Sequence, residues 1–415
     1  MSPTREDEVI HDWNAQRPTG LRAVRLHDET LRDGLQSPSV RDPDLSEKLD
    51  ILRLVAAVGV DSADLGLPGA GARARDDIRA LLELIRDEAL PIQATVACRT
   101  HPADIGPAID LAAETGVPVE AMMFLGTSPI RLYAESWSEQ KLEDLTRAAM
   151  RQAREGGLGA SYVTEDTIRS KPSTLERLFT AAIEEGADCL VLCDTVGHAT
   201  PDGVRALFGW TRELLARLGV DGRVTLDWHG HNDRGLALAN TLASIEAGAA
   251  RVHGTMLGIG ERVGNTALDQ VMVNLKVAGV DARDLTRLDA LVHLVSAACG
   301  APIDTRYPAF GADAFRTGTG VHAAAVIKAK RKGDDWLADR VYSAVPAQWV
   351  GRRQEIQIDY MSGASNVRWF LEEHGLSADE DVVEAVLSRA KTSKQALSID
   401  EVRAVVDASQ ARRSA

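Results

Sequence analysis

The 415-residue chain has no excess of positive charge: 47 Lys and Arg stand against 61 Asp and Glu, a formal net charge of −14. Nucleic acid and anionic membrane surfaces are therefore poor candidate partners. There is no apolar run of bilayer-crossing length, and Met1-Ser2-Pro3-Thr4-Arg5-Glu6-Asp7 lacks the pattern of a secretion signal. Cysteine is scarce, with four residues at 98, 189, 193 and 299. Cys189 and Cys193 bracket the apolar run Leu190-Val191-Leu192, on one side of a predicted strand. They read as core thiols rather than metal ligands or a disulfide. Together these absences point to a reducing, cytoplasmic setting. The length calls for one large core plus an appendage.

What the chain does have is alternation. Strand-like segments at 23–31, 62–67, 91–99, 118–125, 159–165, 188–195, 223–231 and 251–257 are separated by helical patterns, several ending at glycine: Gly59, Gly116, Gly186 and Gly248. Strands alternating with helices imply parallel pairing, and eight units is the number that closes a (β/α)8 TIM barrel. A doubly wound open sheet is the alternative, but it rarely runs to eight regular units. The expected organisation is an N-terminal segment at 1–22, a barrel at 23–285, a linker and first subdomain at 286–360, and a helical second subdomain at 361–415.

Two stretches carry chemistry. Residues two apart on a strand share a face, so the strand leading into His229-Gly230-His231-Asn232-Asp233 presents two imidazoles side by side. Two imidazoles and one carboxylate form a half-shell for a divalent cation with positions left open for substrate oxygens. Asp33, in His27-Asp28-Glu29-Thr30-Leu31-Arg32-Asp33-Gly34-Leu35-Gln36, is the natural carboxylate, with Arg32 beside it as a fixed positive charge. Reactive groups of such barrels sit at the C-terminal strand ends. There the sequence places Arg32 and Asp33, Asp64, Arg99, Thr127 with Ser128 and Arg131, Glu165, Asp194 with Thr195, His229 and His231, and the run from Gly258 to Asn265.

These motifs carry a resemblance. The stretch from Arg25 to Pro38, Leu192-Cys193-Asp194-Thr195-Val196-Gly197, the run from His229 to Ala237, and Gly258-Ile259-Gly260-Glu261-Arg262-Val263-Gly264-Asn265 resemble, in order, the signatures of a family of metal-dependent acyl-CoA condensing enzymes. These are the 2-isopropylmalate, homocitrate and citramalate synthases, related to the 3-hydroxy-3-methylglutaryl-CoA lyases. The resemblance implies that Asp33, His229 and His231 hold a divalent metal (Mg²⁺, Mn²⁺ or Zn²⁺), with Asn265 near or on it. It implies that Arg32 polarises the carbonyl of a 2-oxo acid, that Asp64, Arg99, Ser128, Arg131, Thr195 and Glu165 shape the substrate site, and that Gly258, Gly260, Glu261, Arg262 and Gly264 meet acetyl-CoA. One departure stands out: Asp64 occupies a position where the family usually carries the longer Glu, which puts its contact with Arg32 in doubt.

Beyond the barrel, the run from Pro308 to His322 and the position of Tyr342 resemble the synthase extension, which the lyases lack. The resemblance implies catalytic roles for His322 and Tyr342, supplied to the partner subunit of a homodimer. It also implies that a leucine-sensing domain does not follow. Leu35, where synthases often carry Glu, leans instead toward a lyase. Arg131, where isopropylmalate synthases commonly carry His, reads equally as a helix-start residue pointing to solvent or as a pocket cation for a second anionic group on the 2-oxo acid, since guanidinium pairs with carboxylate through two parallel bonds.

Overall fold

The computed structural model describes residues 9–16 and 20–414; the opening stretch read above for a secretion signal lies outside them. The chain divides into two compact units, Met1–Asp284 with Ala290–Pro302, and Leu285–Asp289 with Ile303–Ala415.

The first unit is a closed barrel of eight parallel strands in sequence order: β1 (Arg25–Asp28), β2 (Ser62–Asp64), β3 (Gln93–Arg99), β4 (Val119–Gly126), β5 (Gly159–Glu165), β6 (Cys189–Asp194), β7 (Thr225–Gly230) and β8 (Arg251–Gly254). β1 closes on β8 in the register Arg25↔Arg251 and His27↔His253. The helices between strands are α1 (Leu45–Ala57), α2 (Ala72–Asp87), α3 (Pro102–Thr115), α4 (Pro129–Glu135), α5 (Glu139–Glu155), α6 (Pro172–Glu184), α7 (Pro201–Arg217) and α8 (Ala237–Ala247). α9 (Leu268–Val277) and α10 (Leu288–Cys299) follow β8.

Local chemistry fixes the helix ends. Asp44 and Glu47 form a reciprocal capping box on α1. α3, α4, α6 and α7 each open on a proline, whose missing N–H costs nothing in the first turn. Gly116 and Gly248, at φ +70° and +112°, take the left-handed positions that end α3 and α8.

Several strands are shorter than the sequence pattern suggests. β1 stops at Asp28 because Glu29 O accepts from both Arg32 N and Gly34 N, curling the chain into a turn. β8 stops at Gly254 because Leu257, at φ +61°, bends the chain into a short 3₁₀ turn. All four cysteines are free and buried; Cys189, Val191 and Cys193 pack with Met122 inside the barrel.

The second unit pairs two short parallel strands, β9 (Arg316–Thr317) and β10 (Glu355–Ile356), with the helices α11 (Gly320–Arg331), α12 (Asp335–Ala338), α13 (Ala364–Glu373), α14 (Glu380–Thr392) and α15 (Ile399–Ser414). It is built on two apolar clusters. One gathers Ala323, Val326, Ile327 and Ile356; the other gathers Val367, Phe370, Leu371, Val382, Val386 and Val402. Ser398 caps α15, its hydroxyl accepting from Glu401 N at 3.2 Å. Ser377 is not the corresponding cap of α14: that position belongs to Asp379, to which the Ser377 hydroxyl donates.

Candidate metal centre and active site

Strand alternation turns His27 and Glu29, Asp227, His229 and His231, and Arg251 and His253 toward the barrel axis, so the interior is unusually rich in charge. At the C-terminal mouth, His229 Nε2 and His231 Nε2 lie 3.2 Å apart. Asp33 Oδ2 completes the triangle, 3.3 Å from His229 and 3.7 Å from His231. Ligand atoms about 2.1 Å from one cation stand roughly 3.0–3.4 Å from each other, so the triangle fits a single ion. All three side chains are buried.

Asn265 reaches the same place by backbone stitching. An antiparallel bridge joins it to His231, Thr266 N donates to Gly230 O, and Asn232 N donates to Gly264 O. Its Nδ2 donates to Ile259 O, while its buried Oδ1 has no partner within the protein. A buried acceptor without a donor is costly, and a cation beside it would relieve that cost. Burial, followed by the neighbouring charge of His229, lowers the His231 imidazole to about 4, which leaves the ring neutral and ligand-ready. The donor set therefore fits a divalent ion.

Arg32 is held by carboxylates on three sides. Its Nε donates to Asp64 Oδ2 at 2.8 Å, and its guanidinium nitrogens lie 3.0 Å from Glu29 and 3.6 Å from Asp33. The shorter Asp64 thus keeps the contact that its missing methylene put in question. Burial raises the Asp64 carboxyl to about 6, against the pull of Arg32.

Above these groups opens a pocket. Of the residues singled out from the sequence, Arg32, Asp33, Glu165, Thr195, His229, His231, Glu261 and Arg262 line it. Ala97, Met122, Phe124, Val163, Val191 and Cys193 supply its apolar wall. Burial raises the Glu165 carboxyl, with Arg131 and Arg32 opposing. Thr195 is fixed at β6, its hydroxyl accepting from Asp166 N at 2.8 Å.

Other candidates lie off the lining. Arg99 turns to Asp104 at the start of α3 through two 2.7 Å bonds. Ser128 is fully buried, its hydroxyl without a partner. Arg131 pairs with Glu135 at 3.1 Å, its stem lying over Gly126. The β8 loop needs its glycines for its own closure. A Cβ on Gly264 would fall 1.8 Å from Gly258 O, and one on Gly260 would fall 2.2 Å from Asn265 Nδ2. Arg262 ties that loop to Asp233 and to the backbone of Thr195. His322 and Tyr342, in the second unit, are exposed and in contact, with ring centroids 4.2 Å apart and the rings tilted by 32°.

The sequence reading passed over Glu29 and His253. Their signal was present: polar residues recur at every second position in Arg25-Leu26-His27-Asp28-Glu29 and again in Arg251-Val252-His253, on strands where a barrel interior is normally apolar.

Fold and site together define a (β/α)8 barrel with an imidazole–carboxylate centre at its strand ends. A family model described as HMGL-like matches residues 23–295, and the chain belongs to that family. A 2-isopropylmalate synthase of Chromobacterium violaceum is 33% identical over 88% of this chain and 70% of its own length. The homocitrate synthase AksA of Methanopyrus kandleri is 33% identical over 89% of this chain and 87% of its own. Among solved structures, hydroxymethylglutaryl-CoA lyase from Pseudomonas aeruginosa superimposes with a TM-score of 0.55 at 20% identity, covering 67% of this chain and 94% of that one. The lyase of Brucella melitensis gives 0.55 at 19% identity, covering 66% and 98%. At these identities the structures speak for the fold alone. No helix among the described residues is long and apolar enough to cross a membrane.

Proposed function

We propose that the protein is a divalent-metal-dependent acyltransferase that condenses acetyl-CoA with a 2-oxo acid, water then cleaving the thioester so that CoA and a 2-alkylmalate-type product are released. The observation that carries this reading is the placement of Arg32 against the Asp33–His229–His231 triangle at the base of one pocket. Held by Asp33, His229 and His231 with Asn265 beside them, a divalent ion would supply Lewis acidity toward substrate oxygens.

The chain's own groups would do the rest. Arg32, locked by its carboxylates, stabilises the negative charge that grows on the carbonyl oxygen as the acetyl carbon attacks. Glu165, raised by burial, is poised to hold or give up a proton within the pocket. Glu261 and Arg262, on the loop that Gly258, Gly260 and Gly264 close, are proposed to meet the thioester. His322 and Tyr342, whose rings already touch, are proposed to carry protons at the mouth of the partner subunit's barrel in a homodimer.

The lining also bears on the 2-oxo acid. Its two arginines are spoken for, Arg32 by Glu29, Asp33 and Asp64, and Arg262 by Asp233. Glu165 and Glu261 would repel a second carboxylate, while the apolar wall suits a hydrocarbon side chain. We therefore favour a monocarboxylic 2-oxo acid with an uncharged side chain.

The test is thiol release from acetyl-CoA with Mn²⁺ or Mg²⁺ across 2-oxoisovalerate, pyruvate, 2-oxoglutarate, oxaloacetate and phosphonopyruvate. Release that requires one uncharged-side-chain acid and stops with a chelator is the expected result. Carbon–carbon cleavage of a 3-hydroxy-3-methylglutaryl-CoA-type substrate, releasing acetyl-CoA with its thioester intact, with silence across the panel would replace the synthase by a lyase.

A further inference from the structure

Beneath the triangle lies a second buried group, His27, Glu29 and His253, exposed by 0%, 2% and 1%. Its ligand-type atoms are close enough to suggest another ion site. The bonding says otherwise. Glu29 Oε1 meets His253 Nδ1 in a 2.9 Å hydrogen bond, and Oε2 stands 3.0 Å from His229 Nδ1 and 3.0 Å from an Arg32 nitrogen as ion-pair contacts. His253 in turn uses Nε2 on Asp227 at 3.3 Å. Glu29, itself outside the triangle, thus touches the proposed metal ligand His229 and the carbonyl-polarising Arg32 at once.

We propose that Glu29, backed by His253, is a positioning residue that sets the tautomer and ring direction of His229 and docks Arg32 beside it. With its proton on Nδ1 and pointed at Glu29, His229 is left with its Nε2 lone pair facing Asp33 and His231. A carboxylate behind a ligating imidazole fixes the ring and raises its basicity, and losing such a partner typically costs about 10- to 100-fold in metal affinity. The same carboxylate ties the orientation of Arg32 to that of the ligand, so the two electrophilic elements of the site move as one body. This inference rests on the metal reading above, yet it can fail separately.

The experiment is a Co²⁺ titration of the full-length apo protein, followed by the visible ligand-field spectrum and by calorimetry, for wild type, Glu29→Gln and Glu29→Asp. Expected are one ion per chain in the wild type and a 10- to 100-fold weaker Kd in Glu29→Gln, with a shifted ligand-field band. A merely structural role would leave that band unmoved. Should Glu29→Gln not fold, Glu29→Asp decides the matter. It keeps a buried negative charge in the core but, one methylene shorter, draws it back from His229, and at least a several-fold loss is expected. Unchanged affinity and spectrum in either folded variant would overturn the proposal, as would two ions per wild-type chain. No Co²⁺ binding by the wild type would overturn the metal reading itself.

Discussion

The barrel contains two buried layers of charge that differ in how completely they are satisfied. In the deeper one, Arg251 donates to Asp227 and, through two nitrogens, to Glu120, at 3.0 and 2.6 Å. Glu120 also accepts from Gln93 and Ser161. In the upper layer, His231 Nδ1 and Asn265 Oδ1 are buried without partners, and two imidazole nitrogens and a carboxylate oxygen face one another. Saturation marks a layer that holds the barrel together; unfilled bonding capacity marks one that awaits a ligand.

The hardest test of that contrast is Arg251→Met. It strands Asp227 and Glu120 in the core, and breaking a buried ion network this way costs about 3–5 kcal/mol. Urea unfolding should show a loss of that size; a loss under about 1 kcal/mol would mean the deeper layer is not structural.

Next in size is a pH effect from Asp28, a buried carboxylate outside both layers that accepts from Thr30 N and Oγ1 at 3.1 and 2.7 Å. Burial raises it to about 7. The folded chain then holds a proton that the unfolded chain has released above about pH 4. This contribution is therefore greatest at low pH and declines as pH rises from about 4 through 7, by up to about 4 kcal/mol. Asp28→Asn, whose amide can still accept from Thr30 N, should flatten the unfolding free energy over that window. An unchanged slope would show that Asp28 is ionised in the fold.

Smaller still is His231→Leu. Removing an imidazole with an orphaned nitrogen should change apo stability by no more than about 1 kcal/mol, while metal binding disappears from calorimetry. A destabilisation matching Arg251→Met would erase the distinction between the layers.

The legibility of the chain follows the same division. The barrel could be read because each strand and helix writes its own period and its own cap, as the capping box at Asp44 and the prolines opening four helices show. The clustering of Asp33, His229 and His231 could be anticipated because each stands at the C-terminal end of a predicted strand with metal-donor chemistry. Glu29 and His253 were missed because their meaning lies in partners more than 200 residues away in sequence, at 2.9 Å in space. Strand ends were overrun at β1 and β8 for a related reason: a turn such as Glu29–Gly34 is fixed by backbone bonds that residue types do not announce. The glycines of the β8 loop suggested open access to a ligand, whereas the close approaches that require them are to Gly258 and Asn265.

The smallest expected effect is at the rim, where the sequence left open whether Arg131 meets a dicarboxylic substrate or solvent. Arg131 is half exposed, paired with Glu135 one helical turn away, and set 5.9 Å from the centre of the Trp137 ring. Its guanidinium is absent from the pocket lining. An exposed pair of this spacing contributes about 0.3–0.5 kcal/mol, so Arg131→Ala should lower stability by no more than that. It should also leave the ranking of 2-oxo acids unchanged, because the wall proposed to meet the side chain is built from Ala97, Met122, Phe124, Val163, Val191 and Cys193. The informative measurement is kcat/KM for one monocarboxylic and one dicarboxylic acid in both proteins. A tenfold loss confined to the dicarboxylic acid would bring Arg131 into the site, because only a group touching the second carboxylate could separate the two substrates so selectively. Parallel values would leave the choice of acid to the apolar wall.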